Sequence, residues 1–258
     1  MIAETGSATK AGRLAKGEVV IDASVERVWR ALTEAAELER WFPLEAKVEP
    51  GPEGRIWMSW GNEFGAWSEV LAWDPPHHLS ISWSWGANEA QVTDYRLEGR
   101  GGSTHLRVVT SGFPEGADWD DLVEGTRLGW LFELQQLRHY LERHDGERRH
   151  VRYIRRRVSL PREAAWKQLM EEGEDVVRGV SARPFDETPP WQYAAITSHP
   201  ADGMIRVTVD PMHHDPGLRD VTVWLSSWGE SDDLEPAARA WRERLARIFP
   251  QGETIEPD

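Results

Sequence analysis

Nine histidines and 44 acidic residues supply the groups from which metal sites and acid–base pairs are built. His213, His214 and Asp215 stand together in "MHHD" between Pro211 and Pro216, a set able to hold a metal through imidazole and carboxylate. Adjacent side chains of one loop seldom converge, and no further ligand stands close by in sequence, so no metal site is assigned. His77 and His78 follow the double proline of a turn, while His139, His144 and His150 fall near the carboxyl end of a helical segment, where imidazolium complements the helix dipole. The strand-borne candidates for acid–base work are Glu63, Glu69, Asp94, Tyr95 and Arg96. Glu69 alternates with Trp67 and Leu71 and is expected to share their face. A carboxyl buried there without a partner would have a raised pKa, although acids more commonly sit on a solvated strand face. No G-x-S-x-G, P-loop, H-E-x-x-H or dinucleotide-binding glycine pattern occurs. The absence of cysteine removes thiolate nucleophiles, thiolate metal ligands and disulfides. No catalytic residue and no cofactor is assigned.

The stronger chemical signal is apolar. In "LSISWSWG", Leu79, Ile81, Trp83 and Trp85 alternate with small residues, which is the side-chain period of a half-buried strand. The chain holds 15 tryptophans, and several fall on alternate strand positions: Trp83 with Trp85, and Trp67 with Trp73 through Glu69 and Leu71. Indole offers broad stacking area and one N–H donor, a combination suited to a planar ligand with a polar handle. Such a wall belongs either to an ordinary core or to a ligand cavity. For the cavity, the expected lining is Trp41, Ile56, Met58, Trp60, Trp67, Glu69, Leu71, Ile81, Trp83, Trp85, Phe113, Trp130 and Leu134. A slip of one residue in the third strand would substitute Trp57.

The elements that must position these side chains follow from periodicity. A strand is predicted over 17–21, then a helix over 25–33 with Ser24 as N-cap and Val25, Val28, Trp29 and Leu32 as its apolar stripe. A short second helix should deliver Trp41 and Phe42 before Pro43. Strands are predicted over 46–49, 55–60, 66–73, 79–85, 91–98 and 104–111, separated by "PGPEG", "DPP" and "GRGGS", the pattern of an antiparallel meander. From Trp119 onward, Val123, Thr126, Trp130, Leu134, Leu137 and Leu141 keep helical spacing. Gly125 and Gly129 interrupt this long helix and read as a close helix-on-sheet contact, with a ligand lying there as the alternative. The helix has to cover the apolar face of the sheet.

The segments "ASVERVWRALTEAAELERWF", "PGPEGRIW", "DPPHHLSISW", "STHLRVVTSGFP" and "GW" at Gly129–Trp130 resemble, in this order, the START-like helix-grip (SRPBCC) superfamily, specifically homologues of the heat-shock-protein-90 ATPase activator. The resemblance covers about Gly17 to Glu142. It implies an α+β fold in which an antiparallel sheet curves around a long carboxyl-terminal helix and encloses a hydrophobic cavity. Members of the superfamily bind lipids, hormones or polyketides, and some branches are polyketide aromatases or cyclases. The eukaryotic co-chaperone has a separate amino-terminal domain, where this chain has a short polar stretch.

The residues after the long helix read as a smaller degenerate copy. Aligning Trp166 with Trp29 sets "LPREAAWKQL" on "ASVERVWRAL", "ETPPWQYAAITS" resembles "WDPPHHLSISWS", and "DDLEPAARAWRERLARIF" closes with a helix. Strands matching Ala46 through Trp73 are not found in this copy. The expected organisation is a disordered tail over 1–16, a helix-grip domain over 17–146 and a second such domain over 147–258 that supports the first or binds a protein partner. With 30 basic against 44 acidic residues, a net charge of −14 repels nucleic-acid phosphates and anionic lipid surfaces, and neither a nucleic-acid partner nor membrane insertion is expected. No apolar run spans a bilayer or serves as a signal peptide, and a cytoplasmic location is expected. Three functional readings follow: binding of an apolar or aromatic small molecule, polyketide aromatase or cyclase chemistry, and a chaperone-interaction module.

Overall fold

Ser24 takes extended backbone and its hydroxyl accepts the Arg27 N–H at 3.2 Å, so α1 (Val25–Thr33) starts at the cap the sequence provides. Its Val28, Trp29 and Leu32 are buried. Pro43 follows α2 (Ala35–Leu38), and Trp41 is fully buried with its indole N–H donating to the Ala31 carbonyl at 2.9 Å. The computed structural model describes residues 13–61, 65–84, 90–177, 181–198, 202–211, 217–231 and 234–255.

These helices are attached to a seven-stranded antiparallel sheet of β1 (Ala15–Ile21), β2 (Glu45–Glu49), β3 (Arg55–Ser59), β4 (Gly65–Asp74), β5 (His78–Ser84), β6 (Ala90–Arg100) and β7 (Ser103–Ser111). Its spatial order is β1-β7-β6-β5-β4-β3-β2. The long helix α3 (Asp120–Arg143) packs on it through Trp130, Leu134, Leu137 and Leu141. Closest approach falls at Gly17 of β1, where an added Cβ would lie 2.8 Å from Leu134 Cδ1 and 3.1 Å from Trp130 Cβ. This is the helix-grip arrangement.

A six-stranded sheet repeats the plan. It contains β8 (Arg149–Val158), β9 (Ser181–Thr188), β10 (Gln192–Thr197), β11 (Met204–Pro211), β12 (Arg219–Trp228) and the short β13 (Glu253–Ile255), in the order β13-β8-β12-β11-β10-β9. Helices α4 (Arg162–Val177) and α5 (Glu235–Ile248) cover one face, where Trp166, Leu169, Trp241 and Leu245 meet Tyr193, Val207, Val209, Val221 and Val223. The other face turns to α3. Phe132 packs with Ala194 and Met204, and the Gln192 amide donates to the Leu128 carbonyl at 3.2 Å. Helix α3 is thus covered on two sides, which explains why its apolar residues exceed a single stripe.

Three expectations need correction. The strand begins at Ala15, which is fully buried and paired with Thr110, so the tail does not extend to residue 16; residues 1–12 lie outside the described residues. Among its described residues the second unit lacks strands matching β2 and β3, whereas β9 occupies the place of β4. Finally, β4 is not a uniform two-residue alternation. A bulge between Val70 and Ala72 inserts Leu71 as an extra residue, so Ser68 and Val70 point inward before it and Trp73 after it, against Trp29 at 5.4 Å. Trp67, Glu69 and Leu71 therefore occupy the outer face, Trp67 40% and Leu71 54% exposed.

Candidate ligand-binding site

The space between α3 and the sheet divides into a filled half and a hollow half. In the filled half, Trp41, Ile56, Met58 and Ile81 interlock with Leu32, Leu38, Phe42, Leu79 and Tyr95 around a void of about 10 Å³, barely room for one water. Phe113 and Leu134 are core residues as well. The hollow half is a cavity of about 410 Å³, partly open to solvent, within the range of small-molecule sites. Of the expected lining, Trp60, Trp83 and Trp130 face it. Trp85 and Glu63 lie outside the described residues, as do His213, His214 and Asp215.

Aromatic rings build the walls. Phe42 stacks on Trp41 at 4.9 Å, closing off the filled half, and meets Trp60 at 5.2 Å and Trp130 at 5.6 Å. Trp60 and Trp83 stand 6.0 Å apart at 38°. The sheet contributes short polar residues beneath the helix, Gln91, Thr93 and Thr110. The Trp130 indole N–H donates to Thr110 Oγ1 at 2.9 Å, and that hydroxyl shares a 3.0 Å hydrogen bond with Thr93. A Cβ added at Gly125 or Gly129 would meet nothing within 4 Å. These helical glycines make room for the cavity instead of tightening a contact; the tight contact belongs to Gly17.

Among the described residues two charged side chains complete the lining, and neither was singled out in the sequence. Glu133 extends the Gly125–Gly129 spacing by one more step of four, which places it on the same helix face and could have identified it. Desolvation pushes its carboxyl up to about 7, against the opposing pull of Arg206, Arg149 and a 3.1 Å hydrogen bond from the Gln136 amide. Burial pulls the Arg149 guanidinium down to about 10, partly offset by Glu133 and Glu39, while it donates to the Phe42 and Pro43 carbonyls. Arg206 comes from β11, in the other sheet. Its Nε donates to Gln192 Oε1 at 2.9 Å and its guanidinium lies 5.4 Å from the Phe132 ring centre.

The remaining polar candidates sit elsewhere. His78 pairs with Asp94 at 2.9 Å on the other side of the sheet from buried Tyr95, whose hydroxyl is pushed up by burial. His139 and His144 do more than complement a helix end: with Asp202 their ligand atoms lie within 4.8 Å of one another, a spacing a metal could bridge. Here other partners hold the cluster. Arg143 donates to Asp202 Oδ2 at 2.5 Å, His139 Nε2 is 2.8 Å from the Asp202 carbonyl, and both imidazoles pack on Trp228. The cluster fastens the end of α3 to the second unit.

The helix-grip frame, its half-hollow interior and the order of its elements coincide with a family match: residues 22–142, a little under half of the chain, fit the model described as Activator of Hsp90 ATPase homolog 1-like protein. Residues 22–142 are thus similar to this Hsp90-activator-like family. No curated protein is significantly similar to the chain. Among solved structures, DynU16, described as a protein in the dynemicin biosynthetic locus, is 20% identical and matches 92% of this chain and 94% of its own, with a TM-score of 0.47. CalU16 from Micromonospora echinospora is 23% identical over 52% of this chain and 78% of its own, with a TM-score of 0.43. The Aha1 dimer from Colwellia psychrerythraea is 20% identical over 52% of this chain and 98% of its own, with a TM-score of 0.47. No helix among the described residues is long and apolar enough to cross a membrane.

Proposed function

We propose that the protein is a cytoplasmic binding protein whose activator-like unit holds an apolar, aromatic small molecule between α3 and the first sheet. The observation that carries this reading is the pairing of a cavity of about 410 Å³ with walls of Phe42, Trp60, Trp83 and Trp130, at the point where the helix carries Gly125 and Gly129. Two glycines in a helix interior cost about 1 kcal/mol each relative to alanine, and the indole faces of a partly open cavity leave apolar area in contact with water. A bound molecule offsets both. Native mass spectrometry of the purified chain should detect a co-purifying small molecule, and titration with 2-acetylnaphthalene should quench tryptophan emission at about one site per chain. Trp83→Ala should weaken that binding; Ser82→Ala, on the neighbouring strand position, should leave it unchanged. Absence of both a co-purifying molecule and a saturable site would remove the reading.

An aromatase or cyclase is favoured by one observation. A Glu133 carboxyl poised at about 7 can accept or return a proton near neutral pH, and it faces the same cavity. Conversion of an added polyketone, lost in Glu133→Gln while binding persists, would establish catalysis.

A further inference from the structure

The hollow half of the helix grip is not closed by its own unit. Its far boundary is the Arg206 side chain of β11, brought in because the second sheet turns its polar face toward α3. Among the described residues of the lining, Arg206 is the one basic residue, opposite the tryptophan walls. It is also held in place. Gln192 anchors Nε at 2.9 Å and is itself bonded to the Leu128 carbonyl and to Asp186, while Phe132 supports the guanidinium plane at 5.4 Å. Among the described residues no hydrogen-bond partner is found for the two terminal guanidinium nitrogens. An arginine fixed at Nε with its terminal N–H groups open to a cavity is arranged to receive a planar oxyanion.

We infer that the ligand is an aromatic carboxylic acid, its ring system among Trp60, Trp83 and Trp130 and its carboxylate on Arg206, so that the second unit selects the ligand that the first unit encloses. This rests on the binding reading above. Glu133 sets the condition under which an anion can enter, because its own carboxylate would repel one. Facing it are Arg206 from β11, Arg149 from β8 and Gln136 from α3, and burial still outweighs the two cations in holding its proton up to about 7. Below that pH, neutral Glu133 can donate a hydrogen bond to the incoming carboxylate. Above it, two like charges would share the site. Affinity for the acid therefore falls as pH rises, and affinity for a neutral isostere does not.

The test compares 2-naphthoic acid with 2-acetylnaphthalene, its neutral analogue of similar shape, by tryptophan quenching on the full chain. Near pH 6 the acid should bind roughly tenfold tighter or more, the range expected of a charge-assisted hydrogen bond. Arg206→Met should weaken the acid far more than the ketone and so abolish most of the preference, and Arg206→Lys should retain part of it, with circular dichroism reporting folding of each variant. Raising the pH to about 8 should shrink the preference in the parent chain and leave it in Glu133→Gln. Equal binding of acid and ketone, or an equal loss of both in a folded Arg206→Met, would overturn the inference while leaving the binding reading in place. Binding of neither probe would remove both.

Discussion

One design is used twice in this chain with opposite results. In the first unit, α3 crosses its sheet beside a cavity of about 410 Å³; in the second, α5 crosses a sheet whose order β8-β12-β11-β10-β9 repeats β1-β7-β6-β5-β4, over a core of large apolar side chains. Side-chain volume accounts for the difference. Under α5 the sheet presents Tyr193, Val207, Val209, Val221 and Val223, and the helix answers with Ala238, Trp241, Leu245 and Ile248. Under the hollow part of α3 the sheet presents Gln91, Thr93 and Thr110, and the helix answers with Gly125, Thr126 and Gly129. A cavity in this fold is thus written as a local run of small and polar residues, with tryptophans around it instead of across it. The second unit, its sheet one strand narrower, gives its other face to α3 and acts as a wall of the first.

The contrast is broken most easily by truncating one tryptophan on each side. Trp241→Ala, from a packed core, should cost about 3–5 kcal/mol in denaturant unfolding. Trp83→Ala, beside a space already present, should cost less than about half as much. Equal losses would mean that the first unit is as solid as the second.

A somewhat smaller effect concerns Glu133. Its folded pKa is raised from 4.5 to about 7, so the native state binds this proton more tightly than the unfolded chain. The contribution to stability is complete below the unfolded value and is lost as pH rises through about 7, by up to roughly 3 kcal/mol. Urea midpoints of the parent chain and Glu133→Gln, compared between about pH 5 and pH 8, should diverge in favour of glutamine at the alkaline end. Parallel curves would place Glu133 in bulk solvent.

The smallest effect sharpens the comparison at the helix itself. Gly125→Ala and Gly129→Ala should each gain about 0.5–1 kcal/mol, because the added methyl meets nothing and helix propensity improves, while Ala238→Gly in α5 should lose about the same plus its packing. A destabilising Gly129→Ala would show that the helix touches the sheet there.

Much of this was legible in sequence, for identifiable reasons. The α1 stripe and its Ser24 cap are local patterns, as is the alternation that sends Leu79, Ile81 and Trp83 inward. Trp67, Glu69 and Leu71 were misplaced because an extra residue at the bulge reverses the phase of β4, so the inward Trp73 predicts the wrong face for everything before it. Periodicity also cannot separate the filled half from the hollow half. Ile81 and Trp83 share a face, yet one is core and the other cavity wall, and only the residues opposite decide. Arg206 was beyond reach because its role depends on how the second sheet seats against α3, as in the Gln192–Leu128 hydrogen bond between residues 64 apart in sequence.

The central claim is that the space beneath Gly125 and Gly129 is a binding site, and filling it tests that claim most directly. A fluorescence titration with 2-acetylnaphthalene should show about one site per chain in the parent protein and loss of that site in Gly129→Leu, with thermal stability equal to or above the parent. Unchanged affinity in a folded Gly129→Leu chain would contradict the account, since a ligand between α3 and the sheet cannot share that space with a leucine side chain.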